Sequence, residues 1–195
     1  MQSEITKLTE RAKTLIKNNS EIEDIILFGS YMKGKDKPND IDLLIIFKNK
    51  INKNVESQLK INSTLNLDIN SITLDELNGE NFIAKEGLYL EGLSLKNDFL
   101  LSKNLGFHSF CFFKYDLSHI IGSERVKFYY ALNGRNKQKG ILQTIGAKKF
   151  SEELIICEYN KLEQLKDFFK TWNLEYELIP SLIPTRLKHL LLTSS

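Results

Sequence analysis

The segment IDLLIIF, residues 41–47, constrains the fold most, because a short run this apolar is typical of a strand buried within a sheet. The entrance to the run is acidic, with Asp40 just before it and Asp42 inside it. Strand side chains alternate, so Asp40 and Asp42 share one face of the sheet while Leu43 lies on the other. Aspartate is costly to bury unpaired. The two carboxylates therefore either decorate a strand edge or hold a cation.

The rest of the first half predicts alternating helices and strands around this strand. We predict a helix over 4–17, strands over 24–28 and 65–72, a weak helix over 51–61, and one or two helical segments over 74–95. The resulting order is α-β-loop-β-α-β-α, which predicts a short mixed sheet backed by helices.

The composition and pattern of the sequence change at residues 103–107, where an aromatic segment with alternating polar and apolar residues begins. We therefore predict two domains, residues 1–104 and 105–195. The second follows the order β-α-β-α-β, with a helix capped by Ser123, and is expected to be a small α/β module of unknown role. The fold class of the whole chain is predicted to be α+β.

A third aspartate, Asp68, lies in the strand predicted over 65–72, on the face opposite Leu67 and Ile69. If that face matches the face of Asp40 and Asp42, three carboxylates converge. Such a trio requires a metal ion, and a metal ion with three carboxylates suits phosphoryl chemistry.

Gly29 and Ser30 end the strand that precedes the acidic loop. A strand that ends in Gly-Ser and turns toward a helix start directs backbone N–H groups outward, which suits binding of phosphate oxygens. Lys33, Lys35 and Lys37 in the following loop add positive charge, although loop lysines are more often simply solvated.

The stretch FGSYMKGKDKPNDIDLLIIF resembles the DNA polymerase beta-like nucleotidyltransferase superfamily, of the small prokaryotic or minimal type. That family combines Gly-Ser, a loop of about ten residues and Asp-x-Asp inside an apolar strand. The resemblance covers roughly residues 20–95 and includes NFIAKEGLYLEG, which is similar to the helix that follows in minimal members. Tyr31 and Lys33 stand where small members often have arginine, and Asn39 replaces the usual serine.

The resemblance implies roles for individual residues. Asp40, Asp42 and Asp68 are implied as catalytic and as ligands of two Mg²⁺ ions, and Gly29 and Ser30 as the triphosphate-binding pair. Lys33 is added as a third candidate contact to the nucleotide. The implied activity is Mg²⁺-dependent transfer of a nucleoside monophosphate from a nucleoside triphosphate (NTP) to a hydroxyl.

The acceptor stays open at this stage. Residues 107–150 hold eight Lys or Arg against two acidic residues, whereas the whole chain carries a net charge of only +2. This asymmetry favours an RNA end, tRNA included, as acceptor, although it equally fits a solvated surface. The alternatives are a protein hydroxyl, as in antitoxin-type adenylyltransferases, and a non-catalytic module that binds nucleotide or RNA.

The compartment is predicted from two further observations. Cys111 and Cys157 lie in apolar runs without a metal-ligand pattern, which predicts buried thiols in a reducing compartment. We identify no signal peptide at the N-terminus and no membrane span in the sequence, so we expect a cytoplasmic protein.

Overall fold

The computed structural model describes residues 1–61, 63–79, 82 and 84–192. The chain divides into two compact units, Met1–Asn104 and Leu105–Ser195. Within the described part, no helix combines the length and the apolar composition that a membrane crossing needs.

The first unit alternates helices and strands in its first two thirds and then ends in short elements. Its elements are α1 (Gln2–Asn18), β1 (Ile22–Phe28), β2 (Ile41–Phe47), α2 (Lys53–Lys60), β3 (Leu67–Thr73), α3 (Leu74–Asn78), α4 (Lys85–Glu91), β4 (Leu93–Ser94), β5 (Phe99–Leu100) and α5 (Leu101–Asn104). Of residues 74–95, which were predicted to form one or two helical segments, Glu80, Asn81 and Ile83 lie outside the described residues.

These strands form one mixed sheet in the order β3-β2-β1-β4-β5. β2 pairs antiparallel with β1 and parallel with β3. Because β1 runs against its neighbours, its C-terminal end lies at the same edge of the sheet as the N-terminal ends of β2 and β3. The Gly-Ser turn and the three aspartates therefore belong to one edge.

The two faces of this sheet bury different side chains. One face packs on α1 and α2 through a cluster that includes Leu8, Leu43 and Leu59, each almost fully buried. The opposite face carries Ile26, Leu44 and Leu88, the last from α4. The alternation predicted for β2 is present, because Leu43 and Leu44 belong to separate clusters, and Asp42 lies on the face of Leu44.

The second unit is α/β, with main elements in the order β-α-β-β-α-β. Its elements are β6 (Phe107–Tyr115), α6 (Gly122–Asn133), β7 (Gly134–Arg135), β8 (Gln138–Lys139), α7 (Ile141–Ile145), β9 (Lys148–Ser151), β10 (Leu154–Glu158), α8 (Leu162–Thr171), β11 (Tyr176–Pro184), α9 (Lys188–Leu192) and two 3₁₀ turns, Tyr159–Lys161 and Thr185–Leu187. Four strands form an antiparallel sheet in the order β11-β6-β10-β9.

An aromatic core joins this second sheet to its helices. Phe113 and Tyr115 on β6 contact Phe169 on α8, with ring centroids 5.5 and 5.2 Å apart. Tyr115 also lies 6.2 Å from Phe128 on α6. The core explains why the run FHSFCFFKY forms a strand, since Cys111, Phe113 and Tyr115, at alternate positions, are all buried.

Several predicted boundaries move. β3 begins at Leu67 rather than at residue 65, and β1 begins at Ile22 rather than at residue 24. Ser123 was predicted to cap α6, but the N-cap residue is Ile121 and Ser123 lies in the first turn of the helix. That prediction is wrong because the helix begins two residues earlier than a Ser123 cap requires, at Gly122.

Candidate active site

The edge of the first sheet brings together the residues that the sequence singles out. Phe28, the last residue of β1, is the partner of Asp42, and Asp42 is the partner of Asp68 across the parallel pair. Gly29 and Ser30 follow Phe28 directly, so the Gly-Ser turn and the carboxylates of Asp42 and Asp68 border the same edge. Asp68 is exposed, whereas Asp40 and Asp42 are half-buried.

Gly29 has a structural reason to be glycine. Its φ angle is +78°, and a Cβ atom built on it would overlap the carboxylate of Asp42. Both the backbone conformation and the close approach exclude a larger residue. Asp42 thus packs directly against the turn that we consider for phosphate binding.

Ser30 supplies two further polar groups to this turn. Its backbone N–H faces the Asp42 carboxylate and lowers the pKa of that group. Its hydroxyl Oγ is buried and has no hydrogen-bond partner within the residues described. A buried polar atom without a partner is uncommon in folded proteins, and it marks a place where a bound group would complete the hydrogen bonding.

The electrostatics of Asp42 reflect this crowding. Burial is the largest cause that raises its pKa, and the negative charges of Asp40 and Asp68 raise it further. The N–H of Ser30 and the Lys33 ammonium oppose the shift. Three carboxylates close enough to repel each other would be relieved by a cation.

The three carboxylates nevertheless do not form a closed set of ligands. Among the described residues, no three or more His, Cys, Asp or Glu side chains stand close enough together to hold a metal ion. The chemistry of the donors fits a hard cation such as Mg²⁺, since all are carboxylate oxygens on one sheet edge.

Glu91 is a residue of this site that sequence reasoning missed. It ends α4, its side chain is only 5% exposed, and its Oε1 accepts a 2.9 Å hydrogen bond from the N–H of Gly29. Its Oε2 lies 3.2 Å from the Nζ of Lys33, as an ion pair. Burial raises the pKa of Glu91, while Lys33 and the Gly29 N–H oppose the shift.

Lys33, one of the predicted phosphate contacts, therefore lies at the site but is paired with Glu91. The signal for Glu91 was present in the sequence as helical spacing. Leu88 and Glu91 are three residues apart, so an acid sits on the same helix face as a core leucine. An acid in such a position is buried and needs partners.

The comparison with known families agrees with this geometry. Residues 10–91 match the family described as polymerase beta, nucleotidyltransferase. This segment is similar to a polymerase beta-type nucleotidyltransferase domain. The matched segment begins within α1 and ends with α4, and it contains the Gly-Ser turn, the three aspartates, Lys33 and Glu91. No curated protein matches the sequence.

Proposed function

We propose that the chain is a metal-dependent nucleotidyltransferase that moves a nucleoside monophosphate from an NTP to a hydroxyl, with release of pyrophosphate. The observation that carries the proposal is the register that sets Asp42 opposite Asp68, beside the Gly-Ser turn. A nucleotidyltransferase domain supplies the reaction class.

In this proposal the turn holds the triphosphate. The unpartnered Oγ of Ser30 is a hydrogen-bond donor for a phosphate oxygen, and Lys33 adds positive charge nearby. Gly29 allows the turn to pack against Asp42, and Glu91 fixes Gly29 from the other side. These contacts orient the triphosphate relative to the carboxylates, and orientation is a large part of phosphoryl-transfer catalysis.

Asp40, Asp42 and Asp68 are the residues that would hold two Mg²⁺ ions. When bound, Mg²⁺ neutralises triphosphate oxygens and lowers the pKa of an attacking hydroxyl. Asp68, the most exposed of the three, would face the acceptor and favour loss of the hydroxyl proton. Asp42 is half-buried and packs against the Gly-Ser turn.

An RNA end is the acceptor that the surface of the second unit favours. Five basic residues of α6 and the β7–β8 hairpin are exposed: Arg125, Lys127, Arg135, Lys137 and Lys139. Arg135 also lies over the ring of Tyr130, 4.4 Å from its centroid, and this tyrosine is itself 41% exposed. Exposed cations beside an exposed aromatic ring suit a nucleic acid backbone and base.

The activity is tested by incubating the protein with Mg²⁺ and each labelled NTP, alone and with bulk tRNA. We expect label transfer that is lost on removal of the metal by a chelator, and weaker nucleotide binding in the presence of Mg²⁺ for Asp40→Ala. If no label transfers and Asp40→Ala binds nucleotide as the wild type does, the chain is a non-catalytic module instead. Label on a co-purified protein rather than on RNA would favour the antitoxin-type reaction.

The RNA acceptor is tested separately by charge reversal. Arg135→Glu with Lys137→Glu should weaken tRNA binding and reduce the slope of log K against log salt by about two, because each of the two cations would neutralise about one phosphate. The control pair is Lys50→Glu with Lys53→Glu, exposed lysines beyond the opposite end of β2. If both pairs of substitutions change tRNA binding and its salt dependence equally, the hairpin is an ordinary solvated surface and not an RNA-binding site.

A further inference from the structure

A cavity of about 410 Å³ lies beside the aspartates, between the sheet and α4. The described residues that line it come from β1, β2, β3 and α4, together with Phe82 and Ala84: Phe28, Leu44, Asn70, Ser71, Ile72, Phe82, Ala84, Gly87, Leu88 and Glu91. Phe28 precedes the Gly-Ser turn, and Asn70 follows Asp68 by two residues on the same strand face. The cavity therefore borders the candidate active site, with Glu91 common to both, and its volume falls in the range of small-molecule sites.

One of the residues that line this cavity, Gly87, is an unusual choice for its position in the fold. It lies inside helix α4, where glycine costs stability relative to alanine. A Cβ atom built on Gly87 meets no atom of the described residues within 4 Å. The helix thus carries a destabilising residue at a position where the fold leaves space, and Gly87 itself lines the cavity.

The lining has the chemistry of a site for a flat heterocycle. Phe28 and Phe82 provide apolar ring surfaces, and Leu44 lies opposite Asn70 on the neighbouring strand. The Asn70 amide offers both a donor and an acceptor, the pairing that a base edge requires. An aliphatic ligand would form no hydrogen bond with the Asn70 amide.

We propose that this cavity binds a nucleobase, with the Asn70 amide against its edge and Phe28 against its ring. The inference rests on the proposed function, because it takes the Gly-Ser turn next to Phe28 as the phosphate site. The base belongs either to the incoming NTP or to the terminal nucleotide of an RNA acceptor, and the experiment separates these sources.

The test fills the cavity without unfolding the helix. Gly87→Leu places a side chain in open space and replaces a poor helix former by a good one, so the melting temperature should not fall. Glu86→Leu is the matched control, because it adds the same side chain one residue earlier, at an exposed position that does not line the cavity. Affinities are measured with Mg²⁺ for each NTP, for inorganic tripolyphosphate and for a short single-stranded oligoribonucleotide.

If the NTP base occupies the cavity, Gly87→Leu weakens NTP binding by about tenfold or more and leaves tripolyphosphate binding unchanged. If the acceptor base occupies it, only oligoribonucleotide binding weakens. Asn70→Leu is a second variant that keeps the apolar wall, and it should erase any preference among the four bases. In both cases Glu86→Leu should behave as the wild type does.

Unchanged affinity for all three ligands in a folded Gly87→Leu protein and in Asn70→Leu would overturn the inference alone. Wild-type protein that binds neither NTP nor tripolyphosphate would overturn the proposed function and this inference with it. The tripolyphosphate measurement therefore tells the two failures apart.

Discussion

Asp42 and Asp68 are directly opposite each other on neighbouring parallel strands, so that two acids share one level of the sheet. Burial and the charges of Asp40 and Asp68 raise the pKa of Asp42. A carboxyl whose pKa is higher in the folded state binds its proton more tightly there, so its ionisation costs stability as pH rises above the ordinary aspartate value of about 4. Metal-free protein therefore carries an electrostatic strain at neutral pH.

We predict that Asp42→Asn stabilises the metal-free protein at pH 7 and that this advantage is lost as the pH falls toward about 4, because below that value Asp42 is protonated in both the folded and the unfolded state. The amide has nearly the same shape as the carboxylate and still presents an oxygen toward the Ser30 N–H, so packing is retained. A gain of up to about 3 °C in the melting temperature is expected. Added Mg²⁺ should reverse the order, since it stabilises only the protein that binds it. A melting temperature that is lower for the variant at every pH without metal would contradict this.

Gly29→Ala should be the most disruptive glycine substitution at the site. The positive φ angle of +78° strains any residue with a Cβ, and this Cβ would also overlap the Asp42 carboxylate. Gly106→Ala is the matched control, because Gly106 has φ +79° but open space around its Cβ position within the described chain. We expect about 1 kcal/mol of destabilisation for the control from backbone strain alone, and at least about 1 kcal/mol more for Gly29→Ala. Chemical denaturation measures the free energy of unfolding of both variants. Equal losses of stability would show that overlap with Asp42 adds nothing to the backbone strain.

The strands of this site could be predicted from the sequence because each is an apolar run, and because the aspartates in these runs must point away from the core. IDLLIIF matches β2 at both ends, and the register of β3 follows from placing Leu67 toward the core and Asp68 away from it. That choice is forced, since a slip by one residue would bury the carboxylate and expose the leucines.

Other features had no local signal. β4 and β5 are two residues each and exist only because Ser94 meets Ile26 and Phe99 across the sheet. The partners of Glu91 are 62 and 58 residues away in sequence, so helical spacing could show that it is buried but not that it contacts Gly29 and Lys33. The cavity depends on how α4 is set over the sheet, which is a property of tertiary packing rather than of any one segment.

Cys111 and Cys157 should be unreactive in the native protein. They are opposite each other on β6 and β10 and are fully buried free thiols. Burial raises the pKa of Cys111 to about 11 and that of Cys157 further, so little thiolate exists at neutral pH. A thiol reagent at pH 7.5 should label neither cysteine within minutes and both after unfolding in denaturant. Rapid labelling of native protein would mean that β6 and β10 separate readily.

Glu91 should act as a positioning residue for the Gly-Ser turn. Glu91→Gln keeps an acceptor for the Gly29 N–H but loses the charge that faces Lys33, whereas Glu91→Ala loses both. With labelled NTP and Mg²⁺, we expect the alanine variant to raise KM for NTP by about tenfold, with a smaller rise for glutamine, because a loosened turn presents Ser30 and Lys33 poorly. Glu86→Ala, an exposed acid on the same helix, is the control and should leave KM unchanged.

The coupling between Lys33 and Glu91 is tested by combining Lys33→Met with Glu91→Gln. The free-energy change calculated from KM for the double variant should be smaller than the sum for the two single variants, since each single change leaves a charge at this site without its partner. Additive losses would show that the ion pair does not couple these two residues.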